Sequence, residues 1–370
     1  MLEMIIFTVT SRCNARCRMC NMWDRNDPDI PLAKVGEVLG SKAIKDSVTN
    51  LLLTGGEPTL RHDLPEIFDA AFNSLRKLRY ASFFTNSLIP RLAQETVARS
   101  MTCKERAGRG DVSFSVTLSL DGIGKTHDAV RGVEGAFGRV VENYFSLKAL
   151  SRLHHFSVGF SCLVQRENIA DNGVFALLDA AEGAFLPITF PIVYGKDIFL
   201  NWSSSDAWSV QEEFHKEVIR FYEEAVRRGE SGGLLIDNGA YYNHVLAQLK
   251  GAPRTLPCLF RDKKACVIDS DGSVYLCDVT KDGRVGNIFE KSFDEIWNSE
   301  QIDAAHAKMV RHCATCFSSC VGSGRYQLME AWQSGGMGGL AKLSLNEFRK
   351  RLKRMSRLIR EYRYAVIPRL

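Results

Sequence analysis

The chain has 370 residues, enough for two or three domains at roughly 150 each. Hydrophobic residues make up 45% and charged residues 25%, so the core needs no disulfide or metal staples. No apolar run approaches the ~18 residues of a spanning helix. The opening MLEMIIFTVTSRC reads as domain and not as signal peptide. Secreted, collagen-like, disordered and integral-membrane classes are thereby excluded, and a cytoplasmic location is expected. The net charge of +5 is uneven. Residues 340–370 carry ten Lys/Arg and two Glu, which makes that segment +8 and leaves residues 1–339 at −3. Of eleven cysteines, Cys13, Cys17 and Cys20 crowd one stretch and Cys313, Cys316 and Cys320 another. Without a secretory signal, such spacing favours metal ligation over disulfides.

In chain order, strands are predicted at Met4–Thr10, Asn50–Thr54, Tyr80–Thr85, Val112–Leu120, Phe156–Val164 and Ile188–Val193. Helices are predicted at Leu32–Ser47, Leu64–Leu78, Leu92–Met101, Phe137–Leu153, Ile169–Glu182 and Ser205–Arg228. Strands alternating with helices imply βαβ units and a parallel sheet. The fold class expected is α/β: a partial (β/α)6 TIM-type barrel over residues 1–232. After Gly232 the alternation decays into a small Cys-rich domain, residues 233–333. A glycine-rich linker and a basic amphipathic C-terminal helix complete residues 334–370. In barrels of this kind chemistry gathers at the C-terminal strand ends. Here the strands run into TSRCNARCRMC, TGGEPT, TNS, SLDG, VQRE and YGK.

CNARCRMC is a C-x3-C-x2-C loop, whose three thiolates can wrap one corner of an iron–sulfur cubane. Spacing alone leaves zinc with a distant fourth ligand open. TGGEPTL follows the second strand, and Glu57 there presents a carboxylate suited to a cationic amine. A Gly55-Gly56 pair permits close backbone approach.

A C-x3-C-x2-C loop after strand one with GGEP after strand two resembles the radical S-adenosylmethionine (SAM) superfamily, over roughly Ile5–Val193. The resemblance implies a [4Fe–4S] cluster on Cys13, Cys17 and Cys20, with SAM on the open iron and Glu57 on its amino group. Met19 stands where that superfamily often has an aromatic residue, and offers a soft apolar surface to adenine. SLDGIGKTHDAVRG resembles the equivalent stretch of the peptide- and sugar-modifying branch, where the serine and arginine contact SAM. This brings in Ser119, Asp121 and Arg131, with Asn86 for the ribose and the backbone near Val164 for the adenine. Taken singly, each is also readable as a strand-end turn residue. His127 orients the loop; the other histidines read as structural.

The second cysteine set begins C-x13-G-x4-C, from Cys258 through Gly272 to Cys277, with DSDG forming a hairpin turn. It resembles the auxiliary-cluster modules of radical SAM proteins, SPASM in the long form and Twitch in the short form. One auxiliary [4Fe–4S] cluster on Cys258, Cys277, Cys313 and Cys316 is implied, with Cys320 and Cys266 open as alternatives. A structural zinc ribbon satisfies the same spacing. Cys103 and Cys162 read as ordinary buried residues, and Asp197, Asp206, Asp237 and Asp278 as candidates for a substrate base.

By the same resemblance, an external one-electron reductant of flavodoxin or ferredoxin type feeds the first cluster. SAM is cleaved to a 5′-deoxyadenosyl radical, which abstracts hydrogen from a substrate C–H bond, for net two-electron oxidation or epimerisation. With no peptide-binding domain ahead of strand one, a small polar metabolite such as a sugar or aminocyclitol is expected. The alternatives are a ribosomally made peptide brought by a partner, RNA modification, or a non-catalytic metal-binding protein. Leu345, Phe348, Leu352, Met355, Ile359, Tyr362 and Val366 form an apolar stripe beside basic residues. The stripe packs on the barrel, or the basic face docks an acidic partner, RNA or an anionic membrane surface.

Overall fold

The computed structural model describes residues 1–20, 22–184, 188–192, 214–230 and 239–318. The basic tail, Cys320, Asp197, Asp206, Asp237 and the boundary expected near residue 233 lie outside them. Six parallel strands occur where the alternation placed them: β1 (Met4–Thr10), β2 (Asn50–Gly55), β3 (Tyr80–Thr85), β4 (Ser113–Ser119), β5 (Ser157–Ser161) and β6 (Ile188–Thr189). Each pairs with the next in sequence, as right-handed βαβ units require. The last two strands are shorter than expected, yet their pairing continues through Val164 N–H to Pro191 O at 2.8 Å.

The intervening helices are α1 (Leu32–Leu39), α2 (Lys42–Lys45), α3 (Leu64–Ser74), α4 (Pro90–Arg106), α5 (Lys125–Arg131), α6 (Ala136–His154), α7 (Arg166–Ala170) and α8 (Gly173–Ala184). Two predicted helices are split. Gly40 closes α1 with its N–H on Gly36 O, and extended Ser41 separates it from α2. Asn172, at φ 58°, breaks α7 from α8, and the Asp171 carboxylate caps the Gly173 N–H at 2.8 Å. Helices α9 (His215–Glu230) and α10 (Gly239–Leu249) follow.

Strand alternation fixes the core. Ile5, Phe7 and Val9 of β1 are fully buried toward the helices, among Phe68, Phe83 and Phe114; the Phe68 and Phe114 rings meet edge-to-face at 4.9 Å. The Cys-rich region is not separate from this sheet. Strand β7 (Ala265–Ile268) adds in parallel beside β1, and β8 (Ser273–Tyr275) and β9 (Arg284–Asn287) extend the same sheet antiparallel. The β7–β8 turn is the predicted hairpin, with Gly272 at φ 81°. Cys266 and Ile268 point into the barrel core, while Ala265 and Val267 pack with Met4, Ile6 and Cys258 on the other face. Helices α11 (Phe293–Trp297) and α12 (Gln301–Met309) close the region, and the Asp294 carboxylate caps α2 by accepting the Lys42 and Ala43 N–H groups at 2.9 and 2.8 Å.

Candidate functional site

At the C-terminal strand ends, four loops interlock. Strand β1 carries an irregularity between Thr8 and Thr10 that sets Thr10 opposite Gly55, where the cysteine loop begins. Gly56 N–H donates to Thr10 O and Glu57 N–H to Arg12 O, both at 2.8 Å. A Cβ on Gly55 would lie 2.3 Å from Thr10 O, and one on Gly56 2.3 Å from Arg12 O. The double glycine therefore permits the close approach of the two loops. Buried Arg61 ties the same corner together, its guanidinium donating to Val9 O at 2.8 Å and Ile30 O at 2.7 Å.

Glu57 is buried beneath the cysteine loop. Its Oε1 accepts from Thr59 N–H, Thr59 Oγ1 and Thr85 Oγ1 at 3.2, 2.6 and 2.8 Å, and its Oε2 accepts the Asn86 N–H at 2.6 Å. Burial raises its pKa and these donors oppose the rise. Three of the four donors fall on Oε1, so Oε2 retains acceptor capacity for one further donor such as an ammonium. Asn86 Nδ2 reaches Asn14 Oδ1 at 2.8 Å and Cys13 Sγ at 3.7 Å, linking the third strand end to the first.

The fourth strand end meets the same loop. Arg16 and Arg18 N–H donate to Arg131 O and Val130 O at 3.0 and 3.1 Å, and left-handed Gly132 lies against Arg16 O. Arg131 pairs through Nη2 with Asp121 Oδ2 and donates through Nη1 to Cys17 Sγ at 3.6 Å. Asp121 Oδ1 accepts the Leu163 N–H at 2.9 Å from beyond β5. His127 is buried and its pKa is pushed down to about 4, chiefly by burial. It is therefore neutral near pH 7, and its Nδ1 accepts the Asp121 N–H at 3.0 Å, the orienting role expected of it.

Met19, Ala15 and Cys17 pack with Leu88, Val130 and Ala136, with Cys13, Cys20 and Leu163 at the edge. Ser119 ends β4 opposite Ser161, and Val164 is buried one residue past Leu163. The structure thus joins Cys13, Cys17, Cys20, Met19, Gly55, Gly56, Glu57, Asn86, Asp121 and Arg131 by direct contact, with Ser119 and Val164 flanking them. Thr59, Thr85, Asn14, Arg61 and Asn168, whose amide donates to Asp121 O at 3.1 Å and Leu163 O at 2.8 Å, were not singled out by sequence. The first two lie inside TGGEPT and TNS, where a buried carboxylate calls for hydroxyl donors.

The second set also assembles. Cys258, Cys277, Cys313 and Cys316 line one small pocket with Arg254, Arg261, His312 and Met309. Arg254 donates to Cys316 O and to Ser318 O. Cys266 is not at this pocket; it is a core strand residue opposite Ile5. Asp278, beside Cys277, has its pKa raised to about 6 by burial.

Both thiol sets suit a cluster. Burial, with a smaller push from neighbouring thiolates, raises Cys13 to about 12 and Cys20 and Cys316 to about 11. Thiolates held in so apolar a place call for a cationic partner, as an iron–sulfur core provides. The buried Arg131 Nε has no partner, a donor that a carboxylate would satisfy.

Residues 7–171 match the radical SAM superfamily, and residues 258–320 match SPASM, an iron–sulfur cluster-binding domain. The chain carries a radical SAM domain followed by a SPASM domain. This radical SAM protein binds a [4Fe–4S] cluster and SAM in its barrel and an auxiliary [4Fe–4S] cluster in its SPASM region. The zinc readings and the non-catalytic reading fall with that match. The SPASM match runs to Cys320. Mycofactocin maturase MftC of Mycobacterium ulcerans is 24% identical over 327 residues, covering 86% of this chain and 81% of that protein. The Fe-coproporphyrin III synthase of Methanosarcina barkeri is 26% identical over 356 residues, covering 84% and 80%. In fold, the chain is similar to Streptococcus suis SuiB bound to precursor peptide SuiA, with a TM-score of 0.56, 14% identity, and 83% and 67% covered. Among the described residues no helix is long and apolar enough to cross a membrane.

Proposed function

We propose that this radical SAM enzyme modifies a ribosomally made precursor peptide by net two-electron oxidation. The observation that carries the peptide reading is the likeness to the maturase MftC along most of both chains. The fold of a precursor-peptide-bound enzyme points the same way. This outweighs the small polar metabolite that the sequence favoured.

In this reading Cys13, Cys17 and Cys20 hold the barrel cluster, and Cys258, Cys277, Cys313 and Cys316 hold the auxiliary one. Held there and reduced by an external donor, the barrel cluster would supply the reductive cleavage of SAM, and with it the capacity to take hydrogen from carbon. Glu57 Oε2 would accept from the SAM ammonium, and Thr59 and Thr85 hold the carboxylate in place by donating to its other oxygen. Arg131 Nε, which has no partner in the protein, would donate to the SAM carboxylate, and Met19, Asn86, Ser119 and Val164 would line the nucleoside. The apolar packing of Met19, Leu88 and Val130 around the thiols excludes water. Oxidation is favoured over epimerisation by where the remaining described thiols sit. Cys162 and Cys266 are buried in the core and Cys103 is on the outer helix α4, none placed to return a hydrogen.

The test is hydrogen transfer. Reconstituted enzyme, SAM and reductant are incubated with a perdeuterated candidate precursor peptide. Deuterium in 5′-deoxyadenosine and a peptide lighter by two hydrogens are expected. Deuterium arriving from labelled sugars and never from the peptide would overturn the reading.

A further inference from the structure

The three thiols of the barrel loop receive unlike donors. Cys13 Sγ accepts the Ala15 N–H at 3.4 Å and the Asn86 amide at 3.7 Å, and Cys20 Sγ accepts the Met22 N–H at 3.5 Å. These donors are neutral. Cys17 Sγ instead accepts from the Arg131 guanidinium at 3.6 Å. That guanidinium has a side chain only 11% exposed, and its counter-ion Asp121 is fully buried, so water screens neither. Its backbone is held from both directions by the Arg16 and Arg18 N–H bonds to residues 131 and 130, and close contact at Gly132 fixes the distance to the loop. A charge-assisted donor aimed at one sulfur is more than a SAM carboxylate partner needs.

We propose that Arg131 is a positioning residue for electron transfer, raising the reduction potential of the barrel cluster by donating a charged N–H to Cys17. The inference rests on the reading of Cys17 as a cluster ligand. Hydrogen bonds to ligand sulfur, together with local charge, set iron–sulfur potentials. Reduction adds negative charge to the cluster, and a cationic donor at the sulfur stabilises that state. Asp121 acts in the opposite sense, since its carboxylate partly neutralises the guanidinium. The pair therefore fixes the potential between limits set by two residues of one loop.

The measurement is a redox titration of the anaerobically reconstituted full-length protein, followed by electron paramagnetic resonance without SAM. Omitting SAM removes any effect of Arg131 on its carboxylate. Arg131→Met is expected to move the barrel-cluster midpoint to a more negative value, and Asp121→Asn to a less negative one. Opposite shifts from two adjacent residues are not what general damage produces. The double variant R131M/D121N leaves no unpaired buried charge, and is expected to stay more negative than wild type because the sulfur has lost its donor. Unchanged midpoints, or shifts of one sign in both single variants, would overturn the proposal. If Cys17→Ala keeps the wild-type barrel-cluster signal, the ligand assignment itself is wrong and the proposal goes with it; that result is read separately from the midpoints.

Discussion

Gly56 shows how little room the site allows a single side chain. A methyl group there would meet Arg12 O at 2.3 Å and Ser11 O at 2.5 Å, backbone atoms of the loop that carries Cys13. Neither oxygen can rotate aside, so the strands must part or the cysteine loop must lift. Gly56→Ala is expected to cost about 1–3 kcal/mol of stability, in the range of overpacked sites. It should also lower iron per chain on reconstitution, while Gly138→Ala on α6, where nothing lies within 4 Å, leaves iron unchanged and raises stability by up to about 1 kcal/mol. Thermal denaturation and iron counting check the pair. At this scale the sequence was most legible where a motif is local. C-x3-C-x2-C and GGEP are short strings whose chemistry is carried by their own residues. The partners that lock Glu57 come from Thr59 nearby and from Thr85 on another strand, and Arg61 reaches Val9 across the sheet. Such pairings need the fold before they can be seen.

At the scale of elements, the segment after Cys20 joins the barrel loop to the β7–β8 hairpin. Arg25 pairs with Asp269 at 2.9 Å and with Asp27 at 2.5 Å, and Ser270 Oγ donates to Asp27 Oδ2 at 2.8 Å. The Asp269 side chain is 4% exposed, so loss of its partner leaves a charge in poor solvent. Arg25→Ala is expected to destabilise the protein by about 1–3 kcal/mol, and Ser270→Ala by about 1 kcal/mol. Denaturant unfolding of R25A, D269A and the double variant should show the two single losses to be less than additive. Strict additivity would mean that the pair does not hold the hairpin. Hydrophobic alternation alone located all six barrel strands, because each is a short apolar run between turn signals. It placed helix ends less well: α1–α2 and α7–α8 read as single helices. Gly40 and Asn172 turn the chain there, and the caps for the resumed helices come from Asp294 and Asp171. Nor did periodicity show that β7 pairs with β1, a contact between residues 4–7 and 265–268.

Across the whole molecule, that pairing makes one sheet carry both thiol sets. Cys13, Cys17 and Cys20 leave the C-terminal end of β1, and Cys258 packs against β7, the strand beside it. The auxiliary region is thus built onto the barrel edge, its core residues Val274, Leu276 and Phe293 continuous with those of the barrel. Two clusters with separate ligands on a shared scaffold is the central claim. It is tested most directly by iron content and SAM cleavage in two variants of the reconstituted enzyme. Wild type is expected to hold about eight irons per chain, two cubanes' worth. The C13A/C17A/C20A variant should retain about four irons and form no 5′-deoxyadenosine, and C313A/C316A should retain about four yet still form it. Cleavage surviving in the first variant, or full iron in the second, would contradict the account.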